Sequence, residues 1–194
     1  PRGCRAIARM NALHGRFRIA NGDLLYVLST FVFEPIRWNE RFGWRRMSES
    51  EKLAWFWFWR QVGERMQIRD IPEAYDEFER YGRDYEAANF RYTDSNQRVA
   101  LATRELFAGW FPALLRPLVR RGIHALLDPS LLAAFDLRPA PRWMVWTANA
   151  ALRARARLLR CLPRRRRVQR RTQMPRADYP AGYRIESLGP PPVD

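Results

Sequence analysis

Apolar residues recur at spacings of three and four along most of this chain, the period of one helix face, and no stretch of useful length alternates as a strand would. Ile7, Met10, His14 and Phe17 share the face of a first helix, interrupted by Gly15 and the polar run ANGD. Asp23 can cap a second helix through Leu24, Leu25, Val27, Leu28, Phe31 and Val32, which Pro35 is expected to end or kink. Ser48 and Glu51 have the Ser-x-x-Glu spacing of a capping box ahead of a third helix. That helix carries five consecutive aromatics, Trp55 to Trp59, too many for one helix face, so part of the run must meet a partner, a ligand or a surface.

Pro72 suits the first turn of a fourth helix, with Tyr75, Phe78, Tyr81 or Gly82, and Tyr85 as its stripe. A Thr-Asp cap at 93–94 opens a fifth, expected to run until Pro112. Two shorter segments follow, and beyond Arg138 the texture changes to a proline-rich break, an amphipathic helix from Trp143, the basic run PRRRRVQRR, and an end, GYRIESLGPPPVD, that reads as an ordered plug or an extended tail. The pattern predicts an all-α, multi-helix single domain over residues 1–138 with a basic C-terminal extension over 139–194. A helical pattern already under way by Ala6, after a first residue that is Pro and not Met, reads as a chain whose upstream portion is missing.

Charge sharpens this division. Residues 1–136 hold 21 basic against 17 acidic side chains, whereas residues 137–177 hold 13 arginines and no acid, so the net charge of +15 comes mainly from one C-terminal stretch. Clustered Arg suits phosphates, but neither a reading helix with Asn or Gln among the arginines nor an aromatic–basic RNA platform is present, which disfavours nucleic acid. With Trp143, Val145, Trp146, Leu158, Leu159 and Leu162 nearby, residues 143–171 fit an anionic membrane surface better, beside the plain alternative of a solvated tail. No signal-peptide pattern is visible, and the longest apolar run, LLYVLSTFVF, falls well short of the roughly 20 residues that span a bilayer. The expected location is cytoplasmic or peripheral to a membrane.

Two histidines and two cysteines exclude much chemistry. The residues three before the histidines are Asn11 and Arg121, so a di-iron carboxylate bundle with its Glu-x-x-His pairs cannot be built. His-x-x-x-His, a Walker loop, Gly-x-Gly-x-x-Gly and Gly-x-Ser-x-Gly are absent, and Cys4 with Cys161 make neither a zinc site nor a disulfide framework. A cofactor held by one histidine is still compatible, haem above all, with Arg16 and Arg18 able to meet carboxylates in fork-like pairs. The competing reading of His14 is a helix-end histidine hydrogen-bonded in the core. His124, beside the apolar set Ile123, Leu126 and Leu127, reads as a packing or partly exposed residue. Glu34 is the only charge inside LLYVLSTFVFEPIRW and reads as a salt-bridge partner, with a buried catalytic carboxylate as the minor alternative.

Over NALHGRFRI, NGDLLYVLSTFVFEPIRW and ERFGWRRMSESEKLAWFWFWRQVGERM the sequence resembles the MpaB family, which shares the rubber-oxygenase (latex-clearing protein) catalytic domain. The similarity runs from about Arg5 to Leu137, and GYRIESLG near the end also fits. The resemblance implies an all-helical fold and a haem b-dependent oxygenase that uses dioxygen to cleave carbon–carbon double bonds in an apolar, isoprenoid-like substrate. It implies His14 as axial ligand to the haem iron, Arg16 and Arg18 as cofactor-binding residues, and Tyr26, Phe31 and Trp38 as the substrate pocket. The rubber-cleaving branch carries its axial histidine in the following helix, where this chain offers Leu28. Three alternatives therefore stand: His14 as ligand, a ligand upstream, or a branch without haem. The competing function is a non-catalytic, degenerate member whose Arg-rich tail docks on an anionic membrane or nucleic acid.

Overall fold

The computed structural model describes residues 2–163, 179–180 and 182–189. Among them the chain forms eight α-helices: α1 (Arg2–His14), α2 (Asn21–Phe42), α3 (Glu49–Arg65), α4 (Tyr75–Asn89), α5 (Asp94–Gly109), α6 (Arg116–His124), α7 (Pro129–Ala134) and α8 (Arg142–Cys161). Short 3₁₀ turns occupy Ala113–Leu115 and Ile185–Ser187. The all-α expectation is met, with no extended strand among the described residues. The helices sort into two compact units: residues 1–35 and 48–79 with the described part of 162–194, and residues 36–47 with 80–161.

The first unit is built around aromatic side chains of α2, α3 and the start of α4. Phe33 meets Phe78 and Tyr75 edge-on, at ring-centroid distances of 5.6 and 5.1 Å, and Phe56 packs against the same two rings. Leu25, Leu28, Val32 and Ile68 are buried with them. Gly63 of α3 packs directly against the Leu28 side chain of α2. A Cβ there would lie 2.8 Å from Ile71 Cδ1 and closer still to a methyl of Leu28, so any side chain would have to displace buried neighbours.

The capping box forms as its spacing predicts: Ser48 Oγ accepts from the Glu51 amide at 3.3 Å, and the Ser48 amide donates to Glu51 Oε2 at 2.8 Å. Thr93 caps α5 by accepting from the Asn96 amide. Other expectations change. The second helix starts at Asn21, whose side-chain amide pairs reciprocally with the main chain of Arg69 at 3.0 and 2.9 Å, so Asp23 lies within the first turn. The fourth helix starts at Tyr75, leaving Pro72 in the preceding loop. The fifth stops at Gly109 rather than at Pro112.

Pro35 neither ends α2 nor needs to, because the helix runs seven residues further to Phe42. The carbonyl that Pro35 cannot serve, that of Phe31, accepts the indole N–H of Trp55 at 3.1 Å. Burial of Ile36 and Phe42 further along favours continuing the helix.

In the second unit α5 packs on α6 and α6 on α8. Arg120 of α6 reaches Glu105 of α5 through Nε and Nη2 at 2.9 and 2.6 Å, and this guanidinium holds the Glu105 carboxyl below its ordinary pKa. Met144 and Ala156 are the buried positions of α8, while Trp143, Trp146 and Leu158 stand outside.

Candidate functional site

His14 is the last residue of α1, and the chain turns tightly behind it: the Arg16 amide donates to the Leu13 carbonyl and the Phe17 amide to that of His14, at 3.3 and 3.0 Å. Because α1 buries none of its residues, the His14 imidazole lies exposed, and the alternative of a core-bonded histidine does not hold. Arg16 and Arg18 are exposed within the four residues that follow His14, with Phe17 between them at 66 % exposure. The helix ends before Phe17, so the face shared by Ile7, Met10 and His14 does not extend to it. Asn11 Nδ2 donates to the Arg65 carbonyl at 3.0 Å, tying this end of α1 to the end of α3.

The other predicted residues are spread along α2. Tyr26 is half-buried in the first unit, its carbonyl accepting from Ser29 Oγ at 2.6 Å. Phe31, also in the first unit, is 48 % exposed and stacks on Trp59 of α3 at 4.8 Å with the planes 15° apart. Trp38 falls in the second unit, tilted over Phe42 at 4.7 Å. Phe31 joins Trp55, Phe58 and Trp59 in a partly open aromatic surface, in which Trp59 Nε1 is buried with no hydrogen-bond partner among the described residues. Of the five aromatics in the α3 run, Phe56 alone is fully buried. Glu34 lies exposed, which removes the reading of a buried carboxylate.

A further segment reaches the first unit that no spacing foretells in detail. Residues 182–189 lie along α1: Glu186 pairs with Arg5, Arg9 Nε donates to the Leu188 carbonyl at 2.8 Å, and Ile185 is buried. Gly189, at φ +97°, sits close against the Leu13 side chain. Of the two readings of the end, the ordered plug describes residues 182–189. Arg5 holds the Glu186 carboxyl below its ordinary pKa.

The second unit contains a cavity of about 220 Å³ between α5, α6 and the segment around Phe135. His124 stands in its wall and is only 7 % exposed. Its Nδ1 lies 2.9 Å from the Arg138 carbonyl, while Nε2 is buried without a partner among the described residues. The sequence places this histidine among packing residues, and burial agrees; one atom without a partner is what periodicity cannot show.

Among the described residues no three His, Cys, Asp or Glu side chains are grouped to hold a metal ion, and Cys4 and Cys161 are free and exposed. No described helix is long and apolar enough to cross a membrane. Of residues 143–171, those to 163 are described; the arginine run from Arg164 lies outside the described residues.

Residues 2–161 match the family described as ER-bound oxygenase mpaB/B′/rubber oxygenase, catalytic domain. Among curated proteins, the chain is similar to ER-bound oxygenase mpaB′ of Penicillium brevicompactum, 26 % identical in an alignment of 155 positions that covers 71 % of this chain and 37 % of the relative. It is also similar to ER-bound oxygenase mpaB of the same organism, 31 % identical over 42 % of this chain and 25 % of the relative. The mpaB of Penicillium roqueforti is 33 % identical over 32 % of this chain and 22 % of that protein. The chain thus spans little more than a third of the first relative's length. No solved structure matches it.

Proposed function

This chain belongs to the family of the mpaB-type ER-bound oxygenases and the rubber oxygenases, whose catalytic domain it matches over residues 2–161, and on that premise we propose that it is a haem-dependent oxygenase acting with dioxygen on a hydrophobic, isoprenoid-like substrate. The family match is the observation that carries the reading.

Haem b suits the donor set at the end of α1. His14 offers an accessible imidazole, Arg16 and Arg18 offer two guanidiniums for propionates, and Met10 and Phe17 expose apolar surface beside them. Bound there, the cofactor would supply the dioxygen chemistry. The protein's own part is binding and positioning. His14 would hold the iron, and Arg16 and Arg18 would meet the carboxylates of the macrocycle. The open rings of Phe31, Trp55, Phe58 and Trp59, with Tyr26 on the same helix as Phe31, give an apolar chain a surface that displaces water along its length. Oxidative cleavage of a carbon–carbon double bond is the reaction type this reading adopts.

The test is the absorption spectrum of the protein purified from haem-supplemented cells, beside its His14→Ala variant. A Soret band near one haem per chain that collapses in His14→Ala is the expected result. A band untouched by the substitution moves the ligand elsewhere, and no band in protein shown to be helical by circular dichroism overturns the haem reading.

A second reading is favoured by α8. Trp143 and Trp146 are exposed there among Arg138, Arg142, Arg153, Arg155, Arg157 and Arg160, with no acid from 137 to 161. In this reading a non-catalytic member of the family docks on an anionic membrane surface. Co-sedimentation with phosphatidylserine-containing vesicles, lost in high salt and in Trp143→Ser/Trp146→Ser, is the expected outcome; equal binding to neutral vesicles contradicts it.

A further inference from the structure

The cavity of the second unit combines an apolar wall with two polar atoms that no group among the described residues satisfies. Phe107, Ile123, Leu127, Phe135 and Leu137 supply most of the wall, and its volume of about 220 Å³ is well beyond one water molecule. Arg104 and His124 stand in that wall as well, and both Arg104 Nε and His124 Nε2 are buried without a hydrogen-bond partner among the described residues.

The chemistry of the two atoms is complementary. A main-chain carbonyl can only accept, so the 2.9 Å contact between His124 Nδ1 and the Arg138 carbonyl places the proton on Nδ1. In the neutral ring Nε2 is then a lone-pair acceptor. Arg104 Nε–H is a donor whatever its surroundings. A hydroxyl group suits either atom, giving its proton to the imidazole or accepting one from the guanidinium. A carboxylate has no proton for Nε2, and a plain hydrocarbon serves neither atom.

We propose that this cavity binds a small neutral molecule with an apolar body and a single hydroxyl, a phenol or a short alcohol, held through His124 and Arg104. The volume accommodates roughly seven to ten heavy atoms, judged against the benzene-sized cavities of other proteins. Phe107, which lines the cavity, is 41 % exposed and meets Trp110 edge-on at 4.6 Å, so it forms the outward side of the wall. The site is independent of the oxygenase reading, whose ligand and propionate residues lie in the first unit.

Titration calorimetry of the full chain with benzyl alcohol, phenol and toluene tests this. The hydroxyl compounds are expected to bind on the order of tenfold more tightly than toluene. His124→Phe removes the acceptor and should abolish that difference while toluene still binds; Ala100→Trp, which fills the cavity, should abolish both. Arg104→Met provides a second route if His124→Phe is not helical by circular dichroism, and it too should narrow the difference. Equal affinity for toluene and the alcohols, no binding by any of the three, or a difference that survives both polar substitutions overturns the proposal.

Discussion

The indole of Trp55 on α3 donates to the carbonyl of Phe31 on α2, four residues before Pro35. Proline has no N–H to return to that carbonyl, so the missing rung of one helix is supplied by a side chain of another. The bond also places Trp55 beside the Phe31–Trp59 stack, linking the continuity of α2 to the aromatic surface assigned to substrate.

Trp55→Phe removes the donor and keeps most of the packing. Its expected cost is about 1 kcal/mol in urea unfolding. In a Pro35→Ala background the helix regains its own amide and the cost should shrink. Equal losses in both backgrounds would show that Trp55 acts through packing alone.

Gly63→Ala should destabilise the protein by about 1–3 kcal/mol, since its methyl would meet the buried Leu28 and Ile71 side chains. Leu28→Ala makes a cavity by itself, yet combined with Gly63→Ala it should cost less than the two single changes added together. A double-mutant cycle in denaturant reads this directly, and strict additivity would mean that the helices part rather than repack.

Glu186 gives the C-terminal segment a pH dependence whose sign is fixed. Arg5 lowers the folded-state pKa of its carboxyl, chiefly through their hydrogen bond, so the contribution is present above the ordinary glutamate range and is lost as pH falls through the lowered value. Protection of the α1 amides, taken relative to intrinsic exchange at each pH, should therefore fall on acidification, and Glu186→Gln should already show lowered protection at neutral pH with a weaker acid response. Both carboxyl and guanidinium are largely exposed, so the change should stay local to α1 and residues 182–189.

Ser48→Ala should cost about 1 kcal/mol by opening one half of the capping box, and Glu51→Ala the other half. Thermal unfolding followed at 222 nm checks it, with restoration by Ser48→Asp as the control.

Features that depend on neighbours along the chain are legible in the sequence alone. The Ser48–Glu51 box, the Thr93 cap and the α4 stripe with its fully buried Phe78 all follow from local spacing. The passage of α2 through Pro35 is not legible in this way, because the group that rescues the helix is 24 positions from Phe31 along the chain. His14 and His124 show the same limit from opposite sides. Periodicity gives both an apolar face, but α1 buries nothing, whereas α6 packs on both α5 and α8 and takes its histidine inside. Nothing short of three-dimensional placement distinguishes them. The pairing of Arg104 and His124 in one wall is equally out of reach, because each looks ordinary on its own helix.

The docking of residues 182–189 on α1 joins positions 181 apart in sequence. During synthesis Arg5 therefore leaves the ribosome well ahead of Glu186, and at about 5–20 residues per second the helix waits roughly 10–40 s for this partner. Until then α1, which buries none of its residues, is without this tie and relies on others such as that of Asn11 to the Arg65 carbonyl. Of the ties that hold α1, the one to Glu186 is thus secured long after the helix itself has been made.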